Sequence, residues 1–377
     1  MNLLIHTFQT PGGEPFLGIL AKTIYRVVGN ECRRLPEVPA FVEEPVRIPS
    51  ANPDASEQLL VDSDLFAPLK PSVDVLVSGT AYSHRGPVSR LDTEVRVGPL
   101  HKAIRVHGER RVLRDSTGRI GFSSPEVFER MPISWDRAYG GRDRHAERAL
   151  RPAAKAFARA AEEPESLLAY PRNPAGRGFF VDVDIPRIHG TPAPNLEDPE
   201  DPVTPERLIA AHSLDWLDRP SATCYGPVEW TSFPRVALWL GVDYAPPVRP
   251  PVEVRRGFLR PKDLAERSIG ATPDPRAYNS ASPGLSGAEI APREVVSLRN
   301  MHPKAEHWHF RLPAERPRLV VAPPGCGVFE IEASLKTVRI EPDEDRVTLT
   351  WSGALEVAAP YPVEMCRTMD RAVQWSR

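Results

Sequence analysis

The sequence is poor in cysteine, and the four it has, Cys32, Cys224, Cys326 and Cys366, stand far apart with no CxxC pair. That spacing excludes a disulfide framework and a zinc ribbon, and fits reduced thiols in a cytoplasmic protein. Charge of one sign is also missing. A formal net charge of −2 leaves no global field to attract nucleic acid or an anionic membrane. Lysine is scarce among the basic residues, which are mostly arginine, the side chain suited to bidentate and stacked contacts. The start, Met1-Asn2-Leu3-Leu4-Ile5-His6-Thr7, lacks the basic residues and apolar stretch of a signal peptide. No apolar run approaches the roughly 20 residues that cross a bilayer as a helix.

Proline, by contrast, is abundant: 43 residues of 377, spread through the chain, more than twice the roughly 5% of average usage. Interior proline removes a ladder hydrogen bond and clashes with the preceding turn, so long helices are disfavoured. Hydrophobic content of 41% and charged content of 26% are those of a folded globular chain. A chain of this length buries a substantial core without metal or disulfide staples.

The periodicity predicts a mainly β fold, with antiparallel sheets in one or two sandwich-like lobes, long proline-rich loops and few short helices. Leu17 to Val28 and Val73 to Val77 are apolar, and Leu91 to Val97 and Ile104 to His107 alternate at period two around a Gly98-Pro99 turn. Leu319 to Ala322, Val328 to Glu332, and the hairpin of Leu335 to Ile340 with Val347 to Trp351 repeat this style. Between them, Glu147 to Leu168 is alanine-rich and reads as a surface helix broken by Pro152 and Pro164. Residues 185–275 carry proline every few positions, with Val236 to Val242 as a buried strand. The division expected is one domain over 1–377, with sub-lobes at 1–145 (β meander), 146–284 (loop and helix) and 285–377 (β).

Chemistry-bearing motifs are largely missing. Neither GxxxxGK[ST] nor GxGxxG offers a phosphate cradle, and GxSxG and HExxH do not occur. His307 and His309 would share a face of a strand, with His302 upstream, but no carboxylate or cysteine stands at ligand spacing, so no metal and no cofactor is assigned. Cys326 lies between two glycines without a neighbouring base, and Glu197-Asp198-Pro199-Glu200-Asp201 lacks the ligand alternation of a calcium loop. No catalytic residue is assigned. Two loops remain. One runs from Met131 to Gly141 and holds Trp135, Arg137, Tyr139, Gly140 and Gly141; the other runs from Tyr170 to Phe179 and holds Arg172, Asn173, Gly176, Arg177 and Gly178. Trp, Tyr and Arg dominate binding hot spots, so the loops read either as partner contacts or as inward-folded segments whose arginines tie down backbone carbonyls.

The ordered series Ala21-Lys22-Thr23-Ile24-Tyr25, Leu69 to Val77 with Gly79 and Ala81, Val106 to Arg110, Trp135 to Gly141, Arg172 to Gly178 and Pro194-Asn195-Leu196-Glu197 resembles a bacterial family. That family is catalogued as a domain of unknown function and associated with type VI secretion, the third class of effector adaptor beside the Eag-type chaperones and Tap-type adaptors. After residue 200 the likeness weakens, and 147–165 reads as an insertion. The resemblance implies a cytoplasmic, non-catalytic adaptor that binds a toxic effector and loads it onto the spike through a PAAR-type tip or its partner trimer. Nucleic acid and membrane are not among the partners expected. It draws Asn195 into the candidate site with the two loops. Two rivals stand beside it: a β-rich hydrolase or carbohydrate-active enzyme using acids from distant loops, and a structural component of the secretion apparatus.

Overall fold

The computed structural model describes residues 2–10, 13–52, 57–146, 148, 168–181, 185–210, 215–239, 273–287 and 289–376. Its centre is an 11-stranded sheet. In chain order the strands are β1 (Asn2–Gln9), β2 (Pro15–Val28), β3 (Glu31–Arg34), β4 (Asp74–Val77), β5 (Arg90–Val97), β6 (Leu100–His107), β7 (Leu196–Glu197), β8 (Val295–His302), β9 (Ala305–Arg311), β10 (Ser334–Glu341) and β11 (Arg346–Glu356). They lie side by side as β7-β6-β5-β8-β9-β3-β2-β11-β10-β4, with β1 on the β3 side of β2.

Local turn chemistry explains the hairpins. Gly98, at φ 55°, closes β5 onto β6, and Asp345, at φ 52°, closes β10 onto β11 across the polar Glu341 to Arg346 loop. Period-two patterning then sets the faces: in β9, Trp308 and Phe310 are buried while His307 and His309 point to solvent. β2 is buried on both faces over most of its length, so its near-continuous apolar run carries no alternation. On the core face lie Leu17, Ile19 and Ala21; on the other, Gly18 leaves the space that Phe8 and Pro68 occupy.

The expected antiparallel sheets need correcting, because the main sheet is mixed. β4 runs parallel to β10 through Asp74↔Thr337 to Val77↔Ile340, and β9 meets β3 in parallel at Arg311↔Glu31. Hairpins are antiparallel because a short turn reverses the chain, whereas β4 and β10 are joined only by a long crossover, which permits parallel pairing. The strands near both ends of the chain share this sheet, through β5 with β8 and β2 with β11.

A three-stranded antiparallel sheet of Phe329–Glu332, Arg316–Ala322 and Asp370–Ser376 packs Leu319, Val321 and Ile331 toward the main core. A second apolar cluster gathers Tyr139, Leu168, Tyr170, Phe179, Trp216, Phe233 and Val236 under the middle of the chain. Here the strand expected at Val236 to Val242 is corrected: Arg235–Trp239 is a one-turn helix, α1, with Val236, Ala237 and Leu238 buried. A short apolar run buried all round carries no period to separate helix from strand. The alanine-rich helix expected over Glu147 to Leu168 lies, apart from Arg148 and Leu168, outside the described residues.

Candidate functional site

The two loops singled out in the sequence meet each other. Trp135–Arg137 forms one 3-10 turn, after which Tyr139–Gly140 pairs in parallel with Arg177–Gly178. Asn173 fastens the crossing: its buried side-chain amide donates to the carbonyls of Trp135 (2.8 Å) and Tyr139 (3.1 Å), and its own carbonyl accepts from Gly141 N–H at 2.8 Å. Glycine is required by contact. A Cβ at Gly140 would stand 2.2 Å from the Asn173 carbonyl oxygen, one at Gly141 would stand 2.4 Å from that of Gly176, and one at Gly176 would stand 2.6 Å from that of Ala138. Gly178, at φ 92°, faces Pro194 at 2.9 Å in the same sense.

The third segment closes the knot. Asn195, fully buried, accepts from Arg137 Nη1 at 3.3 Å and donates to the carbonyls of His107 and Gly108, both at 3.2 Å. Glu109 joins the first two segments, accepting from Arg137 Nη1 at 2.6 Å and from Arg177 Nη1 at 3.4 Å. Burial alone would raise the Glu109 carboxyl, but the Arg137 hydrogen bond and the Arg177 charge together hold it below the ordinary carboxylate value. Arg177 also donates through Nε to the Asp136 carbonyl at 2.8 Å. Arg172 turns elsewhere, toward the second core, where it donates to Tyr170 Oη and the Arg219 carbonyl and its guanidinium lies 5.3 Å from the Trp216 ring centroid. Trp135 donates Nε1 to the Pro227 carbonyl at 2.8 Å, and Tyr139 Oη donates to the carbonyls of Arg207 and Leu208.

Trp135, Arg137, Tyr139, Gly140, Gly141, Asn173, Gly176, Arg177, Gly178 and Asn195 thus form one connected cluster, with Arg172 on its far side. Their polar atoms are directed largely at backbone carbonyls. Sequence reasoning left out Glu109, whose carboxylate joins the segments. The available signal was an acidic residue inside a quoted motif, in a chain whose other motifs carry arginines in need of a counter-charge.

The family described as "Uncharacterized protein conserved in bacteria (DUF2169)" matches over residues 12–352. The chain belongs to the DUF2169 family. No curated protein and no solved structure matches it.

Elsewhere in this DUF2169 chain, charged groups are spent on one another. A cavity of about 310 Å³ is lined by Lys22, Asp62, Asp64, Lys70, Glu341 and Arg346 among others. Lys22 sits 2.6 Å from Asp64, Arg235 3.0 Å from Asp62, and Arg346 2.7 Å from Glu341. Behind the wall Lys70 pairs with the fully buried Asp74 at 2.7 Å. Lys22, Lys70 and Asp74 all come from the quoted motif series. A carboxylate held by a cation is a poor general acid, because the pair stabilises its ionised form.

His307 and His309 share the exposed face of β9, while His302 lies on the buried side, stacked on Trp308 at 4.8 Å and within 2.9 Å of Asp345. Among the described residues no group of three His, Cys, Asp or Glu side chains is placed to hold a metal. No helix of the described residues is long and apolar enough to cross a membrane.

Proposed function

We propose that this DUF2169 protein is a cytoplasmic, non-catalytic adaptor that binds a toxic effector and helps load it onto the type VI secretion spike, through a PAAR-type or trimeric tip protein. The observation that carries this reading is the ordered motif series, whose last four segments are interlocked through Asn173, Glu109 and Asn195. Motifs that resemble the adaptor family are here joined into one interlocked unit, which supports reading them together as one element. Ion pairing of the cavity carboxylates further favours a binding role over acid-base chemistry.

The test is co-expression with any candidate toxin found encoded beside this gene. The adaptor reading expects a complex of defined mass that survives gel filtration. Recovery of both proteins only as separate species contradicts it.

A further inference from the structure

Far from the knot, the three-stranded sheet has two edges, and they differ. The middle strand, Arg316–Ala322, pairs with Phe329–Glu332 on one side and with Asp370–Ser376 on the other. Alternate residues of an antiparallel strand direct their N–H and carbonyl groups to opposite sides. The Pro317 carbonyl accepts from Ala333 N–H at 3.3 Å, so Pro317, Leu319 and Val321 point to the first neighbour, while Arg316, Arg318, Val320 and Ala322 point to the second. Their register partners in the second are Ser376, Gln374, Ala372 and Asp370. The residues between, Arg371, Val373 and Trp375, therefore turn N–H and carbonyl outward, and among the described residues no backbone group meets them.

Sheet edges template pairing with another chain unless proline, lysine, a bulge or opposed charge blunts them. Phe329–Glu332 is blunted. Its outward residues are Glu330 and Glu332, both exposed, and an antiparallel copy centred on Ile331 would set these carboxylates opposite each other. Asp370–Ser376 has neither proline nor lysine and runs in unbroken register over its whole length. Its alternation also suits a copy of itself. With Val373 on a two-fold axis, Val373 faces Val373 and Arg371 faces Trp375, so the outward residues of both copies meet as hydrogen-bonded pairs, each exchanging two backbone bonds. Asp370 then comes opposite Ser376 and Ala372 opposite Gln374, so no like charges meet. Moving the axis to Arg371 would oppose two guanidinium groups. The Val373 register also covers the half-buried Val373 side chain, which already packs against the main core.

We propose that the Asp370–Ser376 edge is a self-association surface, on which a second copy of this chain adds antiparallel about Val373 to make one continuous sheet across a two-fold dimer. Such pairing uses the free edge of both copies, and the acidic edges at Phe329–Glu332 stop growth into a filament. The dimer forms with or without a client, so it stands apart from the adaptor reading.

The test is sedimentation velocity of the full chain, without effector, over a rising concentration series. A monomer–dimer equilibrium is expected. Val373→Pro removes the outward N–H at the axis and leaves the bonds to Arg316–Ala322 in place, so it should weaken dimerisation at least ~10-fold, in line with two net hydrogen bonds lost. Val373→Lys keeps the N–H and sets two ammonium groups opposite each other, so it serves should the proline variant not fold, and it should also weaken the dimer. Mild oxidation in a Cys326→Ser background reads the register. Val373→Cys opposes itself, with Cα atoms about 5.5 Å apart and within disulfide reach, and should cross-link; Gln374→Cys opposes Ala372 and should not. A chain that stays monomeric up to its solubility limit, whether or not an effector strand later covers the edge, overturns the proposal. So does a dimer that both axis variants leave unchanged, or cross-linking that is equal at the two positions.

Discussion

Asn173 donates its side-chain amide to the carbonyls of both Trp135 and Tyr139, and so joins its own loop to a segment more than thirty residues away in the chain. Replacing it with alanine strands the buried Tyr139 carbonyl, whereas the Trp135 carbonyl keeps the Ala138 N–H at 3.2 Å. An unsatisfied buried group costs about 1–3 kcal/mol, so Asn173→Ala should lower stability by about 1–3 kcal/mol. Urea denaturation followed by circular dichroism measures this; a loss under half a kcal/mol would mean that water or rearrangement satisfies the Tyr139 carbonyl.

Gly141 and Gly190 separate two costs of replacing glycine. Both have positive φ, 98° and 80°, but a Cβ at Gly141 meets the Gly176 carbonyl oxygen at 2.4 Å, whereas one at Gly190 meets nothing within 4 Å. Gly190→Ala should cost about 1–2 kcal/mol from backbone strain alone. Gly141→Ala adds a collision with backbone that cannot step aside, and should cost about 2 kcal/mol more or prevent folding. Equal destabilisation of the two would contradict the interlocked arrangement.

Asp74 makes stability depend on pH. Burial alone would raise its carboxyl, but Lys70, with hydrogen bonds from Ser280 and Asn279, outweighs burial and holds it below the ordinary 3.8. A folded-state value below the unfolded one contributes stability that is fully present above the unfolded value and is lost as pH falls through the folded value. Denaturation midpoints should therefore decline from about pH 4.5 downward. Asp74→Asn should flatten that acid limb while costing about 3–5 kcal/mol at neutral pH, since it leaves Lys70 buried without its counter-charge. An acid limb of unchanged slope in the variant would remove Asp74 as its source.

The thiols should react in a fixed order. Cys326 is exposed, whereas burial pushes Cys32 and Cys224 up to about 12 and Cys366 is buried. Brief native alkylation read by mass spectrometry should label Cys326 first, with the other three reacting on unfolding. Early labelling of Cys224 would contradict its placement in the core.

Much of the β architecture was legible because it is local. The β10–β11 hairpin follows from alternation on both sides of a polar loop, and the outward His307 and His309 follow from the period of β9. Parallel contact of β4 with β10 was not legible, because nothing in Asp74 to Val77 encodes a partner more than 250 residues away. Val236 to Leu238 misled because burial on every side erases the difference between the two periods. At the candidate site, the motif residues were visible but their direction was not: arginine and tryptophan serve partner contact and carbonyl capping equally well. The free edge at Asp370–Ser376 was invisible, since alternation tells which face of a strand is buried and not which side lacks a neighbour.

The most direct test of the adaptor role is export in cells lacking this gene. The effector that co-purifies with this chain should remain inside the cell while the tube protein of the apparatus is still secreted, and the wild-type chain supplied in trans should restore effector export. Effector secretion that continues without the gene, or loss of all secretion together, would contradict the account.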